Sequence, residues 1–272
     1  MEQDVKTDGA PNAGASKAKA EKIKNGGDAR APSSPGAELA PQKGPASPLL
    51  PLAEGVWHAH STIRMPGGSR LPIRATVLRL DDGGLLVHSP VKLARDLAEA
   101  VEAKGKVRVL FAPNAFHHRY LSEWQERFPS AVTYGPDRLE ARRPKLRLDY
   151  VIEGVEREPF GPSIQVEPIR GVPRLDEIAL YHKPTRTLVL ADLLFNMGEV
   201  SGLLKWVMRA MGTHKRTGQS RLMRLLIRDR RAYRRSIERL VDLPVDRIVV
   251  SHGEILEGAP AITALDSLRP KK

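Results

Sequence analysis

Residues 50–272 predict a mixed α/β sandwich, with strand clusters alternating with helices in two halves of the chain. Three observations carry this reading. Short apolar runs of strand length recur between amphipathic helical stretches. Four of those runs end in polar groups, as strands lining a ligand crevice do. The 272 residues contain no cysteine, which excludes disulfides, zinc ribbons, iron–sulfur clusters and thiol nucleophiles. Any metal must be held by His, Asp or Glu.

Residues 1–49 are rich in Ala, Gly, Pro, Ser and Lys and bury too little apolar surface to offset ordering, so they predict a disordered tail. They lack the apolar core of a signal peptide, and a cytoplasmic location is the expectation. At 41% hydrophobic and 28% charged, the chain can build an ordinary core.

Order is expected from about Gly55. GVWHAHSTIRM alternates as a strand, and PIRATVLRL and GGLLVHS follow, with Asp81–Gly84 as a hairpin turn. VKLARDLAEAVEAKG reads as an amphipathic helix. VRVLFAP is a strand with a helix after His118, and AVTYG a strand before a short helix that has Pro136 near its start. In the second half SIQVEPI is a strand and EIALYHKPTRTLVLAD a hairpin turning at KPTR. Two helices, 200–211 and 219–242, form an insertion before the last strand, DRIVVSHG.

The strand ends supply the chemistry. GGLLVH ends at His88, VRVLFAP runs into Asn114, His117 and His118, TLVLAD ends at Asp192, and RIVVSH ends at His252. Imidazoles and a carboxylate suit zinc, iron or manganese. Asp192 closes an apolar strand, where an unpaired carboxylate is costly, so it needs a metal, a cation or backbone donors. His88 before Ser-Pro is read as bonding backbone at a strand end. Adjacent His117 and His118 cannot point the same way on a regular element, so at most one of them is a metal ligand.

The formal net charge of +12 is local: residues 205–239 hold twelve Lys/Arg against two Asp/Glu. Arg221, Arg224, Arg228, Arg231 and Arg235 lie opposite an apolar stripe, as a solvated face or a surface for a phosphate ligand, nucleic acid or an anionic membrane. Leu203, Leu204, Trp206 and Val207 beside basic residues suit an interfacial helix, or a lid. No stretch is long and apolar enough to span a membrane.

The segments LLVHSPV, APNAFHH…EW, LYHKPTRTLVLADLL and VVSHGEI, in this order, resemble the metallo-β-lactamase superfamily, and within it the domain-of-unknown-function family 4336. The resemblance runs from about Gly55 to Ile255. It implies a four-layer αβ/βα sandwich with a one- or two-metal site at the sheet edge. It makes His118 the last histidine of the His-x-His-x-Asp-His motif, Asp192 the bridging carboxylate and His252 the final histidine. The chain departs from that pattern: Pro113, Asn114 and Ala115 stand in the His-x-His region, and Val172 replaces the middle histidine. The resemblance leaves Glu177 as a substitute ligand.

The expectation is therefore a divergent, metal-dependent hydrolase of an ester or phosphoester. Its metal ligands are His118, Asp192 and His252, and its proton-transfer groups His117 and Glu177. One divalent ion is implied, zinc or else iron or manganese. The alternatives are a metal-free, non-catalytic binding module, or a protein that binds an anionic membrane or nucleic acid through its arginine-rich helix.

Overall fold

The two strand clusters become two facing sheets. The computed structural model describes residues 48–143, 145–152 and 160–269. The tail expected at residues 1–49 lies outside these, apart from its last two residues.

The first sheet pairs β1 (Leu50–Ala53), β2 (Val56–Arg64), β3 (Arg70–Arg79), β4 (Leu85–His88), β5 (Val107–Phe111), β6 (Val132–Gly135) and β7 (Tyr150–Val151), in chain order. Pairing is antiparallel up to β4 and parallel beyond it. The parallel half needs crossovers. These are α1 (Arg95–Glu102), α2 (Leu121–Arg127) and α3 (Asp137–Arg142), which follow β4, β5 and β6.

The second half opens with β8 (Ile164–Pro168), β9 (Ile178–His182) and β10 (Thr187–Leu190). A two-stranded ribbon, β11 (Phe195–Asn196) with β12 (Thr217–Gly218), encloses α4 (Gly202–Met211). After α5 (Arg221–Leu226) and α6 (Arg230–Val241) come β13 (Arg247–Val250), β14 (Leu256–Glu257) and α7 (Ala259–Asp266). The second sheet runs β14-β13-β10-β9-β8.

Three apolar clusters show the layers. Val56, Leu78, Leu86 and Phe111 of the first sheet pack with Ile164, Leu180, Val189 and Val249 of the second. The outer face of the first sheet buries Leu97, Leu121, Trp124 and Leu139 of α1–α3. The outer face of the second buries Tyr233, Ile237 and Leu240 of α6 with Ala261 and Leu265 of α7. This is an αβ/βα sandwich.

The structure adds short strands that the sequence reading did not give, among them β1, which pairs with β2 ahead of the first strand expected near Gly55. The C-terminal helix α7 was not anticipated; its apolar residues sit without a clear polar face. The helix expected over 219–242 is two helices. At the break, the Gly171 carbonyl accepts from the N–H groups of Arg228 and Asp229, and the Asp229 carboxylate caps α6 by accepting from Arg231 and Ala232. Gly171 is required there: at φ +84° a Cβ would sit 2.2 Å from the Asp229 carbonyl oxygen.

The inner face of the first sheet turns polar toward one end. Register places His58 opposite Thr76, Thr76 opposite His88, and His60 opposite Arg74, on the same face as Val56 and Leu78. Both ring nitrogens of His88, Nδ1 of His58 and Nε of Arg74 are buried without a hydrogen-bond partner among the described residues. Burial lowers the pKa of His58 to about 4, helped by Arg74. Burial likewise lowers His60 to about 3, helped by Arg74 and His58, and His88 to about 3, helped by His117.

These imidazoles stay neutral in the fold where the unfolded chain protonates them. Their contribution to stability is therefore complete above about pH 6.5 and falls as pH drops toward about 3. His88→Phe, which keeps a ring stacked near Phe111, is expected to lower proton uptake on unfolding at pH 5 by about one proton. Calorimetry at pH 5 and 7.5 checks this; equal uptake in both proteins would contradict it.

Candidate metal site and its cavity

Pairing register brings the site together. β10 and β13 run parallel with Leu190 opposite Val250, so Asp192 and His252, each two residues further on, leave the sheet side by side. β4 and β5 do the same in the first sheet, with His88 opposite Phe111 and the Ser89 N–H donating to the Phe111 carbonyl. The loops beyond them deliver Ser89, Asn114 and His117 to the same place.

His117, Asp192 and His252 form a cluster whose ligand atoms lie within 4.8 Å of one another. His117 Nε2 is 3.2 Å from Asp192 Oδ2, and His252 Nε2 is 3.2 Å from Asp192 Oδ1. Each partner is itself held. His252 Nδ1 donates to the Pro72 carbonyl at 2.8 Å, and Ser89 Oγ is 2.7 Å from His117 Nδ1. Phe195 stacks flat on the His252 ring, with centroids 5.2 Å apart.

Asn114 organises the loop. Its Oδ1 accepts from the N–H groups of Phe116 and His117, which leaves Nδ2 to donate to Asp192 Oδ2 at 2.8 Å. One fully buried residue thus fixes both His117 and Asp192. The sequence marks Asn114 as a polar group at a strand end and as a departure in the His-x-His region, with no sign of this bracing role. Ser89 was missed, although a positive φ of 53° marks it as a special turn position.

Glu177 lies behind the site and does not line the cavity. Its oxygens accept from the N–H groups of Ala191 and Asp192 at 2.9 and 2.8 Å, clamping the chain as it leaves β10. Burial, then the charge of Asp192, raises its pKa to about 7. Asp192 is itself held well below the usual carboxylate range: burial alone would raise it, and His117 and His252 outweigh that. His252 is raised, since the Asp192 carboxylate outweighs its burial. His118 is not in the cluster; His117 occupies the place beside Asp192. Burial, then Arg143, lowers the His118 imidazole. Val172, in the middle-histidine position, is buried in the outer core of the second sheet.

The donor set fits a metal. The Pro72 carbonyl requires a proton on His252 Nδ1, so in the neutral ring the Nε2 lone pair faces a carboxylate oxygen at 3.2 Å. That contact is repulsive unless a second proton or a cation intervenes. Two imidazole nitrogens and one carboxylate oxygen are also a sufficient protein ligand set for catalytic zinc, with a position left open.

Above the cluster is a cavity of about 400 Å³. His117, Asp192, His252 and Ser89 form its floor, and Ile63, Leu71 and Ile73 of β2 and β3 form one wall. α4 and α5 roof it with Leu204, Val207, Met208, Met211, Leu222, Met223 and Leu226.

The sandwich has the metallo-β-lactamase-like fold, with a His/His/Asp cluster where its strands end. Solved structures of that fold align over most of the chain. The metallo-β-lactamase of Hirschia baltica is 11% identical, with 84% of this chain and 100% of that one covered and a TM-score of 0.56. FIM-1 from Pseudomonas aeruginosa, in its mono-zinc form, is 14% identical over 84% and 96%, at 0.56. The DIM-1 metallo-β-lactamase is 15% identical over 81% and 94%, at 0.58. The family model described as Domain of unknown function (DUF4336) matches residues 67–224, more than half of the chain, and the chain belongs to that family. The match includes Asn114, His117 and Asp192 and stops before His252. A comparison with curated proteins gave no match.

Gly253, directly after His252, has a φ of +106°, and a Cβ there would lie 1.9 Å from the Asn196 carbonyl oxygen. Gly258 also has positive φ, +61°, but a Cβ there meets nothing within 4 Å. Gly258→Ala is therefore expected to cost about 1 kcal/mol from backbone strain alone, and Gly253→Ala about 1–3 kcal/mol more. Urea unfolding of the two variants measures the difference; equal costs would remove the close approach as a constraint.

Proposed function

We propose that this protein is a metal-dependent hydrolase of an ester or phosphoester, with one divalent ion held by His117, Asp192 and His252. The supporting observation is the convergence of these three donors, each fixed from behind, on the floor of an apolar cavity. Zinc suits the donor set, with iron or manganese next. When bound, such an ion lowers the pKa of a water ligand and polarises a carbonyl or phosphoryl oxygen.

The chain's own residues prepare the site. Pro72 and Ser89 orient the two imidazoles, and Asn114 and the Glu177 clamp hold Asp192 in place. In this reading His117 takes the ligand role that the resemblance implied for His118, and Glu177 is a positioning residue. The apolar walls bind the non-reacting part of the substrate and exclude bulk water.

No helix among the described residues is long and apolar enough to cross a membrane. We place the protein in the cytoplasm, with peripheral membrane association open to it. The exposed arginines Arg221, Arg224, Arg228, Arg231 and Arg235 are the candidate contacts for an anionic partner.

Metal content of wild type and of an Asp192→Ala/His252→Ala double variant tests the hydrolase reading. About one ion per chain in wild type, lost in the variant, is expected, together with ester or phosphoester hydrolysis that a chelator abolishes. No metal in either protein after reconstitution would favour the metal-free binding module. There, a protonated His252 would pair with Asp192 on its own.

A further inference from the structure

The roof of the cavity is apolar on both sides. Among the described residues nine large apolar side chains are exposed, and six of them sit on elements that contribute to the cavity. Leu203, Trp206 and Val207 lie on α4, Leu222 and Leu225 on α5, and Phe116 in the loop that carries His117. Trp206 is 65% exposed and Leu225 77%, on helices whose other faces are already packed. Exposure at this density marks a binding surface rather than scattered surface residues. Phe116, Val207 and Leu222 are exposed and also line the cavity, so one apolar track runs from the surface to the floor.

Cations border this patch. Arg209 stacks over the Trp206 ring at 5.4 Å. Arg216, Arg221, Arg224 and Arg228 are exposed, with no carboxylate within 4.0 Å among the described residues. Arg119 is exposed and lines the cavity. A tryptophan and leucines framed by unpaired arginines match an interface with an apolar interior and an anionic surface. A nucleic-acid backbone offers nothing for Leu203, Leu222 and Leu225 to bury against. Four of the six methionines line the cavity: Met65, Met208, Met211 and Met223. Their flexible, unbranched side chains adapt to a ligand of variable shape.

We propose that the α4–α5 roof docks on an anionic lipid bilayer, and that the cavity takes the acyl chain of a lipid ester from it. That the ester is cleaved rests on the function proposed above; docking and chain binding do not.

The full-length protein carries its own reporter. Trp57 and Trp124 are buried, so Trp206 is the exposed indole among the three. With phosphatidylserine-containing vesicles at low salt, Trp206 emission is expected to shift blue and to be quenched by bromine-labelled lipid. Trp206→Ser/Leu225→Ser and Arg224→Glu/Arg228→Glu should each lower vesicle partitioning about tenfold or more, and salt should weaken it. Asp192→Ala/His252→Ala should bind vesicles as wild type does, so loss of hydrolysis and loss of docking are read separately. A fluorescent polyene fatty acid should bind saturably without vesicles and compete with unlabelled fatty acid.

No shift or partitioning with anionic vesicles at low salt would overturn docking. So would binding to duplex DNA that Trp206→Ser/Leu225→Ser leaves intact, or a dimer in solution that those substitutions abolish. Absence of saturable fatty-acid binding would overturn the acyl-chain ligand.

Discussion

A carboxylate at the end of a wholly buried strand is the constraint around which this molecule is arranged. Asp192 follows β10, whose four residues are fully buried, and it reaches the cavity with only a small part of its side chain exposed. Its oxygens face His117, His252 and the Asn114 amide, and Glu177 grips the backbone that carries it. Two carboxylates so close to each other cannot both hold full charge cheaply. Asp192 keeps the charge, and Glu177 is pushed toward protonation. Each partner also comes from a different part of the fold: β5, β9, β10 and β13 all end or begin at this point. Relaxing any of those strands would leave buried polarity uncompensated.

Much of the fold was legible in the sequence because its strands are apolar runs bounded by turn residues. The KPTR turn and the Asp81–Gly84 turn sit where their composition places them, between β9 and β10 and between β3 and β4. The helix break at 227–229 was hidden, because a distant residue, Gly171, draws the N–H groups out of the helix. α7 was hidden because a short apolar segment after the last expected strand shows no periodicity to read.

At the site, the strand ends were legible as places and not as roles. Asp192 and His252 could be paired from their position after two apolar strands. Which of two adjacent histidines turns inward could not be read locally. That choice depends on Asn114 folding its own side chain back onto the loop and on Ser89 arriving from another strand. Glu177 stood out because it is an acidic residue shortly after Val172, which holds the middle-histidine position of the resemblance. Its burial and its backbone partners make it a brace.

The roof differs from the floor in how it is tied into the chain. α4 and α5 lie in one uninterrupted stretch that leaves just after Asp192 and returns before His252, anchored by the β11–β12 ribbon and the bridge between Asn196 and Gly253. The floor gathers its residues from strands scattered along the chain. The covering segment is therefore a cassette: it can be lengthened, shortened or exchanged within one contiguous piece of gene while the ligand-bearing strands keep their register. What the cavity admits and what surface it faces can evolve separately from the chemistry beneath.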